Sequence, residues 1–488
     1  MKQISKIRLI MISLLLASAV FLITFRFAET PKVWIDEGIF TETAKNLAVK
    51  GNSGIQINPQ KIISSAAWST AGYPLIFPVA ASFKIFGVGL MEARLPMLIY
   101  LMGLVVAFYV FSFRVAGFYA GVSSVLLLLS FSPFYGNGRP VQGEIPGLVF
   151  FIFASVFLFN WEKRDFKKTA LLFWSGLFFG LAASSKPLYL MLILPTLLLI
   201  SILIKKKGGY FKNLIFFGGG FIIPLVLWFF TQFPNFSLFQ KALRIYFTAN
   251  PDASVSSTDS ILSNIPKFFS ESTPMLFMAM LFPAVIFYSI KVIKRKKYTI
   301  AEVAILIFII LNLFAFLKGP GWYRHFFPGH ILLYLIIPVI LIESYKFFLE
   351  KKRLKNIAIA IPIIFIVFTA TQFYHLLFLS QTSFVVKRER NKQLAEVLGQ
   401  IKANKTVFLY NAIEAAIFLR HDNYFQYLKP SDYLEEGDKN ILKEPYTDFI
   451  LIHADEAQQQ GFDPKCYRKK EIDQYYLFEK TPDCLKVS

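Results

Sequence analysis

The sequence predicts a mainly α protein: a polytopic bundle of about eleven transmembrane helices, with interfacial helices in its first outer loop and a small C-terminal α/β domain outside the membrane. Three observations predict it. Of 488 residues, 55% are hydrophobic and only 17% are charged, where soluble domains carry roughly 25% charged residues. Apolar runs near the ~18–20 residues that cross a bilayer recur as far as residue 378. Beyond residue 380 the runs shorten and charge rises. This composition excludes an ordinary soluble enzyme. It also excludes disorder, which needs low hydrophobicity and high net charge. The net charge of +21, from 52 Lys and Arg against 31 Asp and Glu, does not mark a nucleic-acid partner. Those cations gather in short loops between apolar runs, as they do on the cytoplasmic side of membrane proteins.

The first apolar run, 9–25, follows Lys2, Lys6 and Arg8. No small-residue cleavage site follows it, so it reads as an uncleaved span rather than a signal peptide. Further spans are expected at 92–112, 117–133, 145–161, 169–184, 187–204, 213–232, 274–290, 300–317, 326–343 and 356–378. Lys163/Arg164/Lys167/Lys168, Lys205/Lys206/Lys207/Lys212, Lys291/Lys294/Arg295/Lys296/Lys297 and Lys346/Lys351/Lys352/Arg353/Lys355 all follow even-numbered spans. That alternation places them, with the N-terminus, in the cytoplasm and the C-terminus outside. The chain then divides into a transmembrane unit, 1–379, with its first outer loop at 27–91, and an extracytoplasmic domain, 380–488. In the first loop, 73–88 suits a helix lying in the interface. In the second long loop, 233–273, the Ser/Asp-rich segment 252–260 reads as a mobile loop. In the tail, 391–403 patterns as an amphipathic helix, 406–410 and Phe449–His453 as buried strands, and 412–419 as a helix. Cys466 and Cys484, the only cysteines, either pair in an oxidising compartment or remain two thiols. No His/Cys cluster offers a zinc site.

The charges expected on the outer side sit at helix ends. Asp36 and Glu37 lie in Trp34-Ile35-Asp36-Glu37-Gly38. Arg94 opens the second span, Arg139 and Glu144 flank the next outer turn, Lys186 lies between the fifth and sixth spans, and Arg324 and His325 lie in 317–330. Ionisable groups at such depth are costly unless they pair or line a wet cavity. A cavity with both signs suits an anionic lipid, cations holding a phosphate while a carboxylate handles a proton. Each residue also has an ordinary reading: a solvated or capping carboxylate at Asp36, an interfacial Arg94, a snorkelling Lys186, a packed His325. Spacing alone leaves the function open.

The stretch from Trp34 to Gly51, WIDEGIFTETAKNLAVKG, resembles the first-loop signature of the GT-C membrane glycosyltransferases. More narrowly, it is similar to the protein O-mannosyltransferase and aminoarabinose (lipid A) transferase group, glycosyltransferase family 39-like. Tyr73-Pro74-Leu75, Phe86-Gly87, Ala93-Arg94-Leu95-Pro96, Ser132-Pro133, Gly138-Arg139, Glu144 and Tyr323-Arg324-His325-Phe326-Phe327-Pro328 continue the likeness in order, over 8–345. The lysine common in the family's first loop is absent at 71–75, which leaves Lys61 or Lys186 to take its contact; Glu144 stands where the family often has Asp. The tail after 380 resembles no named domain.

The resemblance implies an inverting transferase on the outer face of the inner (cytoplasmic) membrane. It would take a monosaccharide from a polyprenyl-phosphate donor to a lipid, glycan or protein acceptor. Asp36 would be the catalytic carboxylate, and Glu37 and Glu144 would orient the sugar. Arg324, Lys186, Arg139, His325 and Arg94 would hold the donor phosphate. No cofactor is required, although Asp36 and Glu37 offer a place for Mg²⁺ or Mn²⁺. The competing readings are a transporter or flippase for a lipid-linked or anionic solute, a polymerase or ligase using a diphosphate-linked donor, and a non-enzymatic sensor.

Overall fold

The computed structural model describes residues 2–67, 70–193, 195–198, 210–240, 242, 257–294, 298–351, 354–382, 384, 390–429, 447–460 and 464–481. The chain opens with α1 (Lys2–Thr24), α2 (Ile35–Lys50), a hairpin of β1 (Gly54–Asn58) and β2 (Lys61–Ser64), and α3 (Tyr73–Phe86). Then come α4 (Leu90–Ala116), α5 (Phe118–Ser130), α6 (Ser132–Gly138), α7 (Glu144–Lys163), α8 (Thr169–Ser185) and α9 (Tyr210–Gln232). The short α10 (Ser257–Asn264) and α11 (Lys267–Ser270) lead into α12 (Ser272–Ile293), α13 (Ile300–Lys318), α14 (Phe327–Glu350) and α15 (Lys355–Tyr374). The tail holds α16 (Arg390–Gly399), β3 (Val407–Tyr410), β4 (Tyr424–Tyr427), β5 (Phe449–His453), α17 (Ala454–Gln460), β6 (Tyr467–Ile472) and β7 (Tyr475–Lys480).

Among the described residues, eight helices are long and apolar enough to cross a bilayer, or nine if α5 and α6, bent by 67°, form one broken span. The sequence led us to expect about eleven, and the difference arises in 169–204. There α8 has 17 residues and ends at Ser185, because Lys186 precedes Pro187 and a residue before proline is pushed out of the helical region. Lys186 is extended (φ −152°, ψ 122°), and the chain resumes as a 3₁₀ turn, Pro187–Leu192. The remainder of the expected span runs into residues outside those described, as do most of segment 252–260, parts of the basic loops at 205–212, 295–297 and 352–353, and Cys484.

Glu144 opens α7 and pairs with Lys186, just past the end of α8. At the other end of the bundle, the Ile300 N–H donates to Glu162 (2.7 Å) and Lys291 pairs with Glu343 (3.0 Å). The basic segments 163–168 and 346–351 therefore lie at the end opposite Glu144.

In the first loop, α3 is a short apolar helix with apolar side chains both inward and outward: Leu75, Val79 and Phe83 are buried while Phe77, Ile85 and Phe86 are exposed, as suits a helix lying in the interface. By contrast, α2 is buried from Glu37 to Asn46, packed by α3, by β1 and by the C-terminal elements. Those elements form a five-stranded sheet, order β4-β3-β5-β7-β6, parallel across β4, β3 and β5 and antiparallel beyond. All of β3 is buried, as befits a parallel strand covered on both faces. The helix expected at 412–419 is a 3₁₀ segment, Ile413–Phe418, and it packs on α2.

Candidate active site

Trp34 is extended and Ile35 begins α2. Successive helical residues point ~100° apart, so Asp36, Glu37 and Gly38 face three different neighbours. Asp36 accepts a hydrogen bond from Nη1 of Arg324 (2.6 Å). Glu37 accepts from Nε and Nη2 of Arg94, both at 2.8 Å, and from the Val141 N–H at 3.1 Å. Gly38 meets the C-terminal elements so closely that a Cβ there would lie 2.5 Å from the Glu414 backbone.

The two ion pairs differ in access. Asp36 and Arg324 keep 23% and 28% of their side-chain exposure, whereas Glu37 and Arg94 keep none. A charged ligand reaches only the first. Arg324 stands in a 3₁₀ turn, Tyr323–His325, its guanidinium over the rings of Trp322 (4.4 Å) and Trp34 (5.6 Å). Trp34 opens the motif quoted from the sequence, but neither tryptophan was assigned a role there. Their signal was position, since each lies two residues before a candidate charge.

A second pair stands near the first. Glu144 lies 2.9 Å from Lys186, and Lys186 also donates to Thr70 (2.8 Å). Glycine permits this approach: a Cβ on Gly143 would lie 2.2 Å from the Ser185 carbonyl oxygen. His325 joins the two pairs electrostatically. Burial, then the Arg324 and Lys186 charges, lower its pKa to about 4, with Glu144 opposing in part. Burial and its cationic neighbours therefore disfavour the protonated form expected at the donor phosphate. Its Nε2 and the Oε2 of Glu144 are buried and have no hydrogen-bond partner among the described residues.

Asp36, Arg324, Glu144, Lys186 and His325 thus share one end of the bundle. Arg94 and Arg139, expected on the donor phosphate, are placed otherwise. Arg94 spends its remaining N–H groups on the carbonyls of Phe27 (2.9 Å) and Pro31 (3.1 Å). Arg139, 1% exposed, donates to Thr30 Oγ1 and the Leu22 carbonyl, both at 2.9 Å. Both brace the link between α1 and α2. Nor do Asp36 and Glu37 fit a shared Mg²⁺ or Mn²⁺: they diverge, and both Glu37 oxygens are bound by Arg94. No group of three or more His, Cys, Asp or Glu side chains suited to a metal occurs among the described residues. Cys466 is disulfide-bonded, and its candidate partner Cys484 lies outside the described residues.

Residues 75–230, less than half of the chain, match the profile of a family described as dolichyl-phosphate-mannose-protein mannosyltransferase. No curated protein matches the sequence. Among solved structures, the chain is similar to ArnT from Cupriavidus metallidurans bound to undecaprenyl phosphate, with a TM-score of 0.63 at 12% identity, over 96% of this chain and 97% of that one. It is also similar to the Archaeoglobus fulgidus oligosaccharyltransferase with zinc and sulfate (TM-score 0.59, 12% identity, 96% and 73%). For AglB of the same organism in complex with an inhibitory peptide and a dolichol-phosphate the values are 0.54, 11%, 91% and 69%. The fold is the GT-C fold of membrane glycosyltransferases.

Proposed function

We propose that this GT-C protein is an inverting glycosyltransferase that moves a monosaccharide from a polyprenyl-phosphate donor to a lipid, glycan or protein acceptor. The reaction takes place on the outer face of the cytoplasmic membrane. The observation that carries this reading is the open Asp36–Arg324 pair beside the Glu144–Lys186 pair, at the end of the bundle opposite the basic segments. Cations mark the cytoplasmic end of a membrane protein, so the site meets the outer leaflet, where a lipid-linked donor would present its phosphate.

In this reading the donor phosphate takes Arg324, whose planar fork suits phosphate oxygens, and Lys186 adds a point charge. Asp36, relieved of Arg324, accepts the acceptor's hydroxyl proton as that oxygen bonds to C1 and the C1–O bond to the phosphate breaks. General-base assistance of this kind is worth roughly 10²–10⁴-fold. The cations stabilise charge that develops on the leaving lipid phosphate. Glu144 and the neutral His325, each with an unpartnered buried atom, orient sugar hydroxyls. The matched profile and the ArnT and AglB complexes with polyprenyl phosphates support this donor class. Residues 1–379 form the catalytic unit; 380–488 form an outer domain that braces α2.

In proteoliposomes with a polyprenyl-phosphate sugar, Asp36→Asn is expected to abolish transfer while donor binding persists. Arg324→Ala is expected to weaken donor saturation first. Near-normal turnover by Asp36→Asn removes Asp36 from the chemistry. Counterflow of a labelled solute without a covalent product establishes a transporter instead.

A further inference from the structure

Arg324 reaches Asp36 from the eight-residue link 319–326 between α13 and α14, and that link is held from outside its own segment. A helix end leaves its last carbonyls without intrahelical partners. At the end of α13 they are taken by Asn264, the last residue of α10, whose Nδ2 lies 3.2 Å from the Phe316 carbonyl, 3.1 Å from that of Leu317 and 2.8 Å from that of Gly319. Asn264 is 2% exposed. Lys267, at the start of α11, adds a contact to the Gly321 carbonyl (3.4 Å), and Phe268 packs edge-on against Phe316 (5.3 Å).

Gly321 answers this clamp. Its φ of +70° is in the left-handed region, and a Cβ there would lie 2.0 Å from Asn264 Oδ1 and 2.3 Å from Lys267 Nζ. Glycine is required twice over, by conformation and by space. Beyond it the 3₁₀ turn closes through the His325 N–H on the Trp322 carbonyl (3.0 Å) and the Phe326 N–H on that of Tyr323 (3.1 Å). The backbone that carries Arg324 is therefore fixed on one side by α14 and on the other by a side chain from a distant outer loop.

We propose that Asn264 is a positioning residue for Arg324: by capping α13 and docking Gly321, it sets where the guanidinium stands for the donor phosphate. This rests on the reading of Arg324 as a donor ligand. Asn264 itself takes no part in the chemistry.

The test compares the parent, Asn264→Ala, Asn264→Asp and Gly321→Ala in proteoliposomes, with donor KM and kcat and hydrogen exchange of the amides in 319–326. Asn264→Ala is expected to raise donor KM about three- to tenfold, the worth of hydrogen bonds lost from a buried clamp. Its kcat stays within about twofold, and exchange in 319–326 quickens. Asn264→Asp keeps the shape but turns an acceptor toward carbonyl oxygens, so it is expected to be at least as impaired. Gly321→Ala, which leaves Asn264 in place, is expected to share the KM effect. Unchanged exchange in 319–326, unchanged donor KM, or a fall in kcat alone overturns the proposal. A parent that turns over no polyprenyl-phosphate sugar overturns the functional reading itself; an active parent matched by Asn264→Ala overturns only this inference.

Discussion

Asp36 and Glu37 are adjacent, both acidic and both paired with arginine, yet only one is available to a ligand. Taking a carboxylate and a guanidinium fully out of water is costly, and removing one member of such a pair destabilises by about 3–5 kcal/mol. Glu37 and Arg94 are therefore bound to each other structurally. The half-open Asp36–Arg324 pair carries no such penalty for parting. His325 gives this scale its pH signature. With an ordinary value near 6.5 and a folded value of about 4, the unfolded chain binds the proton first. Stability is thus expected to fall as pH drops from ~6.5 to ~4, and to be independent of this group above that window. His325→Gln is expected to flatten that part of the curve when unfolding temperature is measured against pH in detergent. The acids and bases of the site were legible in the sequence as charges at helix ends. What separated Arg324 from Arg94 and Arg139 was not legible, because depth in a membrane is a matter of hydropathy whereas burial within a bundle depends on which helix comes to cover it.

At the scale of elements, α2 is a three-sided part. One side offers Asp36 to Arg324, one sinks Glu37 onto Arg94, and one meets the C-terminal elements through Gly38, Glu42 and Lys45. Glu42 accepts from Tyr424, and Lys45 pairs with Asp422 (2.6 Å). Gly38→Ala places a methyl 2.5 Å from the Glu414 backbone, and overpacking of this kind costs about 1–3 kcal/mol. Because relief requires α2 to shift, transfer activity is expected to fall at least as steeply as the unfolding temperature, which parallel assays would read. The membrane helices were legible from apolar runs, α3 from a shorter, interrupted apolar stretch, α16 from its periodicity, and β3 and β5 from short apolar runs. The β1–β2 hairpin went unread, because its strands are only five and four residues long and β2 is half-buried along its whole length, with no alternation of buried and exposed positions. The burial of α2 went unread too, since nothing local marks a mixed-charge helix whose partners lie some 380 residues away, as Tyr424 does from Glu42.

At the scale of the whole molecule, the site residues converge at the end of the bundle opposite the basic segments 163–168 and 346–351, and the proposed sidedness follows from that charge asymmetry. Both depend on charge at opposite ends of the same helices. A cysteine at exposed Gln60, in the hairpin turn beside α2, is expected to react with an impermeant reagent added outside intact cells, and one at exposed Lys346 only after permeabilisation. The reverse pattern would turn the protein over in the membrane. Gln56 donates to the Asp422 and Tyr424 carbonyls (2.9 and 3.1 Å), so the tail grips the first loop as well as α2 and belongs to the same working body. The contact between Arg324 and Asp36 finally has a temporal meaning. In the proposed mechanism a base clasped by a guanidinium is idle, and an incoming phosphate competes for that guanidinium. The order of arrival then follows, carrier lipid first and hydroxyl second, because the carboxylate is free to take a proton only once the phosphate has drawn Arg324 away.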